Sequence, residues 1–476
     1  MIGTRVRLLL IFAALGLAAA VVGARPQSPS DDPGNYISFD EPLFALTNVR
    51  VIDGTGAAAR EGQTVVVRDG LITSVGSKDS TLPPAGAVTV NLAGRSIMPG
   101  LVMLHEHLFY PTSPSVYAHL DESFVRLYLA GGVTTMRTGG AFNAAMDIRF
   151  ARAIDSESVV GPAIDVTAPY LNGPSESLQM LPLADAADAK RQVGYWAEMG
   201  ATSFKAYMNI TRAELAAVIE EAHRRSLKVT GHLCSVTYAE AAGLGIDNLE
   251  HGFAAASDFV PNKRPDSCLG DEVVEGAVAS LDPADARFGA LVKTLVDRHV
   301  TLTSTLPVFE TFVPGRPKGR GLDLLVPALR ERVEATYAQV AQDSKTFYTK
   351  LFPKEMAFER AFVRAGGMLV SGTDPSGYGA VLPGFANARQ LELLVEAGFT
   401  PVEAIQISTL NGARYLQRDT RIGSIAVGKQ ADLVVVRGDL STTISAVENI
   451  ETVFKKGVGY SPARLVDSVR GRVGLW

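Results

Sequence analysis

The chain has 476 residues, 47% hydrophobic and 20% charged, with 45 Lys+Arg against 50 Asp+Glu and a formal net charge of −5. That length has room for one large domain and a smaller one. A near-balanced charge with no long basic run excludes a nucleic-acid footprint.

Taken in chain order, the N-terminus comes first. Arg5 and Arg7 precede an apolar stretch over residues 8–22 that ends in the small residues Val22, Gly23 and Ala24. This is the layout of a secretory signal peptide, assigned to residues 1–24, and it predicts export to the periplasm or the medium. The run is too short for a comfortable membrane span, so no stable span is expected in the mature protein. Residues 25–37, rich in Pro, Ser and Asp, read as a linker. Residues 38–97 hold short alternating segments at 46–52, 64–68 and 71–75 with turn signals between them, the pattern of a small β-unit. Residues 413–476 have the same texture, and the two ends are expected to meet in one β-sandwich.

Between them, residues 98–412 alternate strand-like and helical segments. Strands are expected at 98–104, 133–137, 163–168, 202–206, 228–231, 247–250, 300–304 and 367–371. Amphipathic helices are expected at 185–198, 212–225, 237–243, 287–298, 326–349, 385–397 and 401–411. Eight strands with helical crossovers predict a (β/α)8 TIM barrel, an α/β fold, carrying the small β-sandwich as a second domain.

The chemistry collects at strand ends. His105-Glu106-His107 closes the first strand, where residues i and i+2 point to the same side. Lys205, His232, His251 and Asp374 close the fourth, fifth, sixth and eighth, so four of the seven histidines occupy such positions. A barrel gathers these ends on one face, and imidazoles with a carboxylate suit a divalent metal. Tyr207, two residues past Lys205, would face the same side, as a substrate contact or a packing aromatic. Arg137 is a candidate for binding a substrate carboxylate. His119, His223 and His299 read as structural or surface residues. Residues 306–330 read as a loop overhanging the site, a candidate lid. Cys234 and Cys268 can form a disulfide or remain two reduced small residues.

These motifs together resemble the amidohydrolase superfamily, in its imidazolonepropionase-like branch that includes prolidase-like, metal-dependent dipeptidases. The resemblance rests on Pro99-Gly-Leu-Val-Met-Leu-His-Glu-His107, Gly131-Gly-Val-Thr-Thr-Met-Arg137, Gly245-Ile-Asp-Asn-Leu-Glu-His-Gly252, and the C-terminal stretches 400–405 and 423–433. It implies two divalent metal ions, with zinc expected. His105, His107 and Asp374 would bind one and His232 and His251 the other, with Lys205 bridging both as a CO2-derived carbamate. A hydroxide bridging the ions would attack a C–N amide bond of a dipeptide, an N-acyl amino acid or a similar small molecule, with Asp374 as the proton acceptor. Lactone, phosphoester or cyclic-amide hydrolysis would use the same apparatus, and a catalytically silent binding protein on this scaffold is the alternative of a different class. Relatives are frequently homo-oligomers. The chain departs from the pattern at Met103, where many relatives carry Asp, at Thr138, and at Cys234, where dipeptide-cleaving relatives often place Tyr or His.

Overall fold

The computed structural model describes residues 32–113, 116–173 and 180–475. The expected signal peptide and most of the linker lie outside the described residues. The last linker residues are already part of the fold: a 3-10 turn, Pro33–Tyr36, is capped by the Asp32 side chain, and Tyr36 is buried.

Eight parallel strands form the barrel: β1 (Leu101–Glu106), β2 (Val133–Thr138), β3 (Ala163–Asp165), β4 (Ser203–Ala206), β5 (Lys228–Gly231), β6 (Asn248–Glu250), β7 (Thr301–Ser304) and β8 (Leu369–Ser371). Every residue of β1 and β2 is buried, as strands covered on both faces require. Pairing runs without a break from β4 to β8 and from β1 through β2 to β3. Two seams remain. The chain after β3 crosses the first, with Thr167 opposite Ser203. The second is closed by the backbone N–H groups of Thr373 and Asp374, which donate to the carbonyl of His105 at 3.1 and 3.0 Å.

The chain ends form one nine-stranded sheet. Strand Leu433–Arg437 pairs antiparallel with Arg95–Pro99, placing Val435 opposite Ile97. Alternation then sorts the side chains: Ile97, Leu433 and Val435 enter the sheet's own core, while Met98, Val434 and Val436 join the core of the barrel. Phe44 and Phe454 lie on strands three places apart, which in a flat sheet would separate them by roughly 14 Å. Their ring centroids are 5.3 Å apart. The sheet is therefore curled over its own core, as a sandwich would be.

Several elements differ from expectation. The apolar run read as one strand serves both sheets: Arg95–Pro99 belongs to the curled sheet, Leu101–Glu106 to the barrel, and the crossing is at Gly100. Helices Asp121–Ala130 and Ala144–Asp155 were not anticipated. The first is buried on nearly every side, with Asp121, Ser123 and Arg126 buried beside its apolar residues, so its polar positions do not mark a solvent face. The expected helix 326–349 is two, Pro327–Gln342 and Tyr348–Arg364. The expected lid is pinned down: Arg316 pairs with Glu310 and Glu396 at 2.7 and 2.6 Å, Arg320 pairs with Glu392 and Glu448 at 2.8 and 2.9 Å, and helix Leu306–Glu310 is buried throughout.

A hairpin, Phe109–Ser113 with Val116–His119, leads off β1 toward the rim. It is held by His119, which sits 2.7 Å from Asp147 and 3.3 Å from Asp121. Burial opposes protonation of His119, but the two carboxylates outweigh it and raise its pKa to about 9. The folded value exceeds the unfolded one, so the stabilisation is full below about pH 6.5 and is lost as pH rises through 9. Denaturation of wild type and His119→Gln across pH 5–10 should differ by on the order of 3 kcal/mol at the acid end and converge at the alkaline end. A gap that does not change with pH would remove this role.

Candidate functional site

The strand ends bring the sequence-predicted residues together. His105 and His107 project to one side of β1, with ring centroids 5.2 Å apart. The ring of His251 lies 4.7 Å from that of His105 and 4.7 Å from that of His232. Lys205 Nζ is 3.3 Å from His105 Nε2. Asp374 Oδ1 is 3.1 Å from His107 Nε2 and 3.8 Å from His105 Nε2, and its Oδ2 is 3.9 Å from His251 Nδ1. All six side chains therefore face one volume at the C-terminal mouth of the barrel.

Two backbone features make this possible. Glu250 points into the barrel, so a continuing strand would turn His251 outward. Instead His251 has φ +65° and Asp374 has φ +48°. At His251 the left-handed conformation ends β6 and turns the side chain inward; Asp374 adopts it three residues past the end of β8, and Asp and His tolerate it better than bulkier residues do. His105 is also wedged between glycines: a Cβ on Gly139 or Gly372 would lie 2.4 Å from its side chain.

Beneath the rings is a fully buried polar network. Arg137 donates to the Leu104 carbonyl at 2.7 Å, to Asn248 Oδ1 at 3.0 Å and to Glu250 Oε1 at 2.6 Å. Glu250 Oε2 accepts from His105 Nδ1 at 2.8 Å. Thr230 donates to Glu250, and Tyr238 donates to the Glu250 carbonyl at 2.8 Å. Burial alone would raise the Glu250 pKa, but His105, Arg137 and Lys205 hold it well below the usual carboxylate range. The assignment of Arg137 to a substrate carboxylate is thus corrected: its guanidinium lies below the site, committed to Glu250 and Asn248. On the outer side of β1, Glu106 accepts from Thr373 and from Asn387 at 2.9 Å.

The partners set the tautomers. With Nδ1 of His105 donating to Glu250, its Nε2 lone pair faces Lys205 and Asp374. His251 Nδ1 is 2.8 Å from the Thr305 hydroxyl, and His232 Nε2 is 3.2 Å from Asp271 Oδ1. Each ring is tied through one nitrogen, which leaves the other to serve as a ligand. That is the arrangement a divalent cation uses. Ligand atoms of His105, His107 and Asp374 all lie within 4.8 Å of one another. Burial would raise the Asp374 pKa, but His105, His107 and His251 hold it well below the normal range, so it is an anion. Burial and nearby Lys205 lower His105 to about 4, so it is neutral. Two imidazoles with an anionic carboxylate fit such an ion.

Lys205 has no salt bridge to a carboxylate among the described residues, and burial lowers its pKa to about 8. At pH 7 about 10% of it is the free amine, against roughly 0.03% for an unperturbed lysine.

Aromatic rings wall the mouth. From His107 they run Phe109, Phe142, Tyr170, Tyr207 and His232, with successive centroids 4.2, 4.5, 5.2, 5.1 and 5.0 Å apart. Tyr207 thus lies beside the site, between Tyr170 and His232. Cys234 is bonded to Cys268, Met103 is core, and Thr138 accepts from the Thr167 N–H at 2.8 Å. Glu250, Asn248, Thr305 and Asp271 were not found from the sequence. Only the first two left a signal there, as charged and amide side chains two apart within a buried strand.

The model of the amidohydrolase family matches residues 96–459. An enamidase of Eubacterium barkeri is 26% identical over 186 residues, 36% of this chain and 44% of that protein. An imidazolonepropionase of Streptococcus pyogenes is 28% identical over 106 residues, 21% of this chain and 24% of that protein. The chain therefore spans less than half the length of these curated relatives. A solved structure of a putative prolidase from Bifidobacterium longum matches 88% of this chain and 94% of its own with TM-score 0.66 and 24% identity, which shows the shared fold.

If Arg137 serves Glu250, then Arg137→Met should cost about 3–5 kcal/mol by leaving a buried carboxylate unpaired. Arg137→Met/Glu250→Gln should recover part of that loss. Urea denaturation of the three chains measures it; a near-neutral Arg137→Met would refute the structural role.

Proposed function

The chain belongs to the amidohydrolase family, and from that premise we propose that it is a metal-dependent hydrolase cleaving a C–N amide bond in a small molecule, such as a dipeptide or an N-acyl amino acid. The observation that carries this reading is the convergence of His105, His107, His232, His251, Lys205 and Asp374 on one volume, with a second partner fixing the rings of His105, His232 and His251. His105, His107 and Asp374 would hold one divalent ion, His232 and His251 a second, and Lys205 would bridge them once carbamylated. Zinc suits this donor set. When bound, such ions supply Lewis acidity to a carbonyl and make water a nucleophile near neutral pH.

The chain's own groups do the rest. Asp374 is anionic, and its Oδ1 accepts from the Ser376 hydroxyl at 2.6 Å, which fixes the carboxylate's orientation. It takes the proton of the attacking water and passes it to the departing nitrogen, so a poor leaving amide anion is avoided. Phe109, Phe142, Tyr170 and Tyr207, with the Phe309 ring 5.9 Å from the His251 ring, give the site apolar walls to bury the substrate's side groups and exclude water. With Arg137 engaged below, a substrate carboxylate is not bound by that residue. Export after removal of residues 1–24 is part of the proposal, and the Cys234–Cys268 disulfide supports it, since such bonds persist in oxidising compartments.

The test is metal content together with a panel of dipeptides and N-acyl amino acids. Two ions per chain and release of a free amino acid are expected. Asp374→Asn should lower kcat by about 10²–10⁴-fold, and Lys205→Ala should abolish uptake of labelled bicarbonate. Two ions with no amide cleavage, but turnover of lactones or phosphoesters, would overturn the substrate class.

A further inference from the structure

The three ring partners are not alike. Glu250 and Thr305 are buried within the barrel, on β6 and just past the end of β7. Asp271 is half-exposed and opens the helix Asp271–Ser280, 39 residues beyond the His232 it touches. It reaches that histidine because the intervening segment is clasped back onto the loop after β5. Cys268, three residues before Asp271, is bonded to Cys234, two residues after His232, with the two Cα atoms 5.0 Å apart. Lys263 forms a second clasp, donating to the carbonyls of Ser235, Ser267 and Arg264 at 2.6, 3.1 and 3.2 Å. Arg212, on the helix after β4, holds Asp266 at 3.1 Å.

We propose that Asp271 is the positioning residue for His232, accepting its Nε2–H so that Nδ1 faces the cluster, and that the Cys234–Cys268 disulfide keeps it there. The inference rests on His232 being a ligand of the second ion. A carboxylate behind a metal-ligating histidine fixes tautomer and ring orientation and raises the basicity of the ligating nitrogen. Glu250 does this for His105 from inside the barrel. For His232 the same service comes from a separate segment, held to the loop after β5 by the disulfide and the lysine clasp and to the helix after β4 by the Arg212–Asp266 pair. The site's second half is thereby tied to the oxidation state of the two cysteines.

Asp271 also stands at the first turn of a helix whose N-cap, Gly270, offers no side chain. There its charge would favour the helix dipole and nothing more. The two roles separate on metal affinity. The experiment titrates zinc against a competing chelator in the full chain and counts ions per chain, for wild type, Asp271→Asn, Asp271→Ala and Cys234→Ser/Cys268→Ser, with a thermal melt of each metal-free form. Wild type is expected to take two ions. In all three variants the affinity for one ion should fall about 10- to 100-fold while the other is unchanged. Reducing the wild-type disulfide should reproduce the shift. Unchanged affinity for both ions, with or without a lower melting temperature, overturns the positioning role. Fewer than two ions in wild type overturns the two-ion reading, and the inference with it.

Discussion

A guanidinium and a carboxylate shut away from water, Arg137 and Glu250, stand 2.6 Å apart at the centre of the barrel and set the geometry above them. Neither charge is tolerable there alone, because an unpaired buried ion costs several kcal/mol on the usual scale. The pair is satisfied only when β2 and β6 face each other across the interior in one register. Arg137 also holds the Leu104 carbonyl, which adds β1 to the alignment. Glu250 then uses its second oxygen to orient His105. A requirement for electroneutrality in the core thus becomes a requirement on where a ring nitrogen points.

The same logic runs outward from that centre. Glu106, between the two histidines of β1, faces the opposite way and takes its hydrogen bonds from Thr373 and Asn387. That ties β1 to the segment bearing Asp374, across the seam that the His105 carbonyl also bridges. The first strand is therefore gripped on both faces, and the residues at its end have little freedom. Rigid support of this kind lets the left-handed backbone at His251 and Asp374 persist, since such conformations survive only where surrounding contacts over-determine them.

The sequence was informative wherever a property is periodic or local. The alternation of strand-like with helical segments pointed to the barrel, alternation within short strands to the terminal β-sheet, and the His-x-His spacing together with the strand-end Lys, His and Asp to the cluster. It failed where the cause lies far away in the chain. Helix Asp121–Ala130 buries Asp121, Ser123 and Arg126 along with its apolar residues, so its polar positions did not mark a solvent face. Arg137 looked available for substrate because its partner, Glu250, is 113 residues distant. Asp271 gave no local sign, since its role depends on a disulfide that two isolated cysteines left undecided. The loop 306–330 looked free because its glycines and prolines were visible and its ion-pair partners, Glu392, Glu396 and Glu448, were not.

Lys205 joins these strands of argument. A buried ammonium without a paired carboxylate is costly, and the Lys205 pKa is lowered to about 8 mainly because burial penalises the charge. The same burial that destabilises the cation frees the lone pair needed to add to CO2. On the proposed reading the addition exchanges a positive group for an anion, 3.3 Å from His105 Nε2 and in a buried site. That anion would be as costly as the ammonium unless cations entered with it. Carbamylation and ion uptake would therefore be linked, each stabilising the other by the same free energy. On that reading the metal-free site keeps a lysine whose charge burial has already weakened, and the loaded site would hold an anion between dications; the intermediate combinations are the ones the low-dielectric interior disfavours.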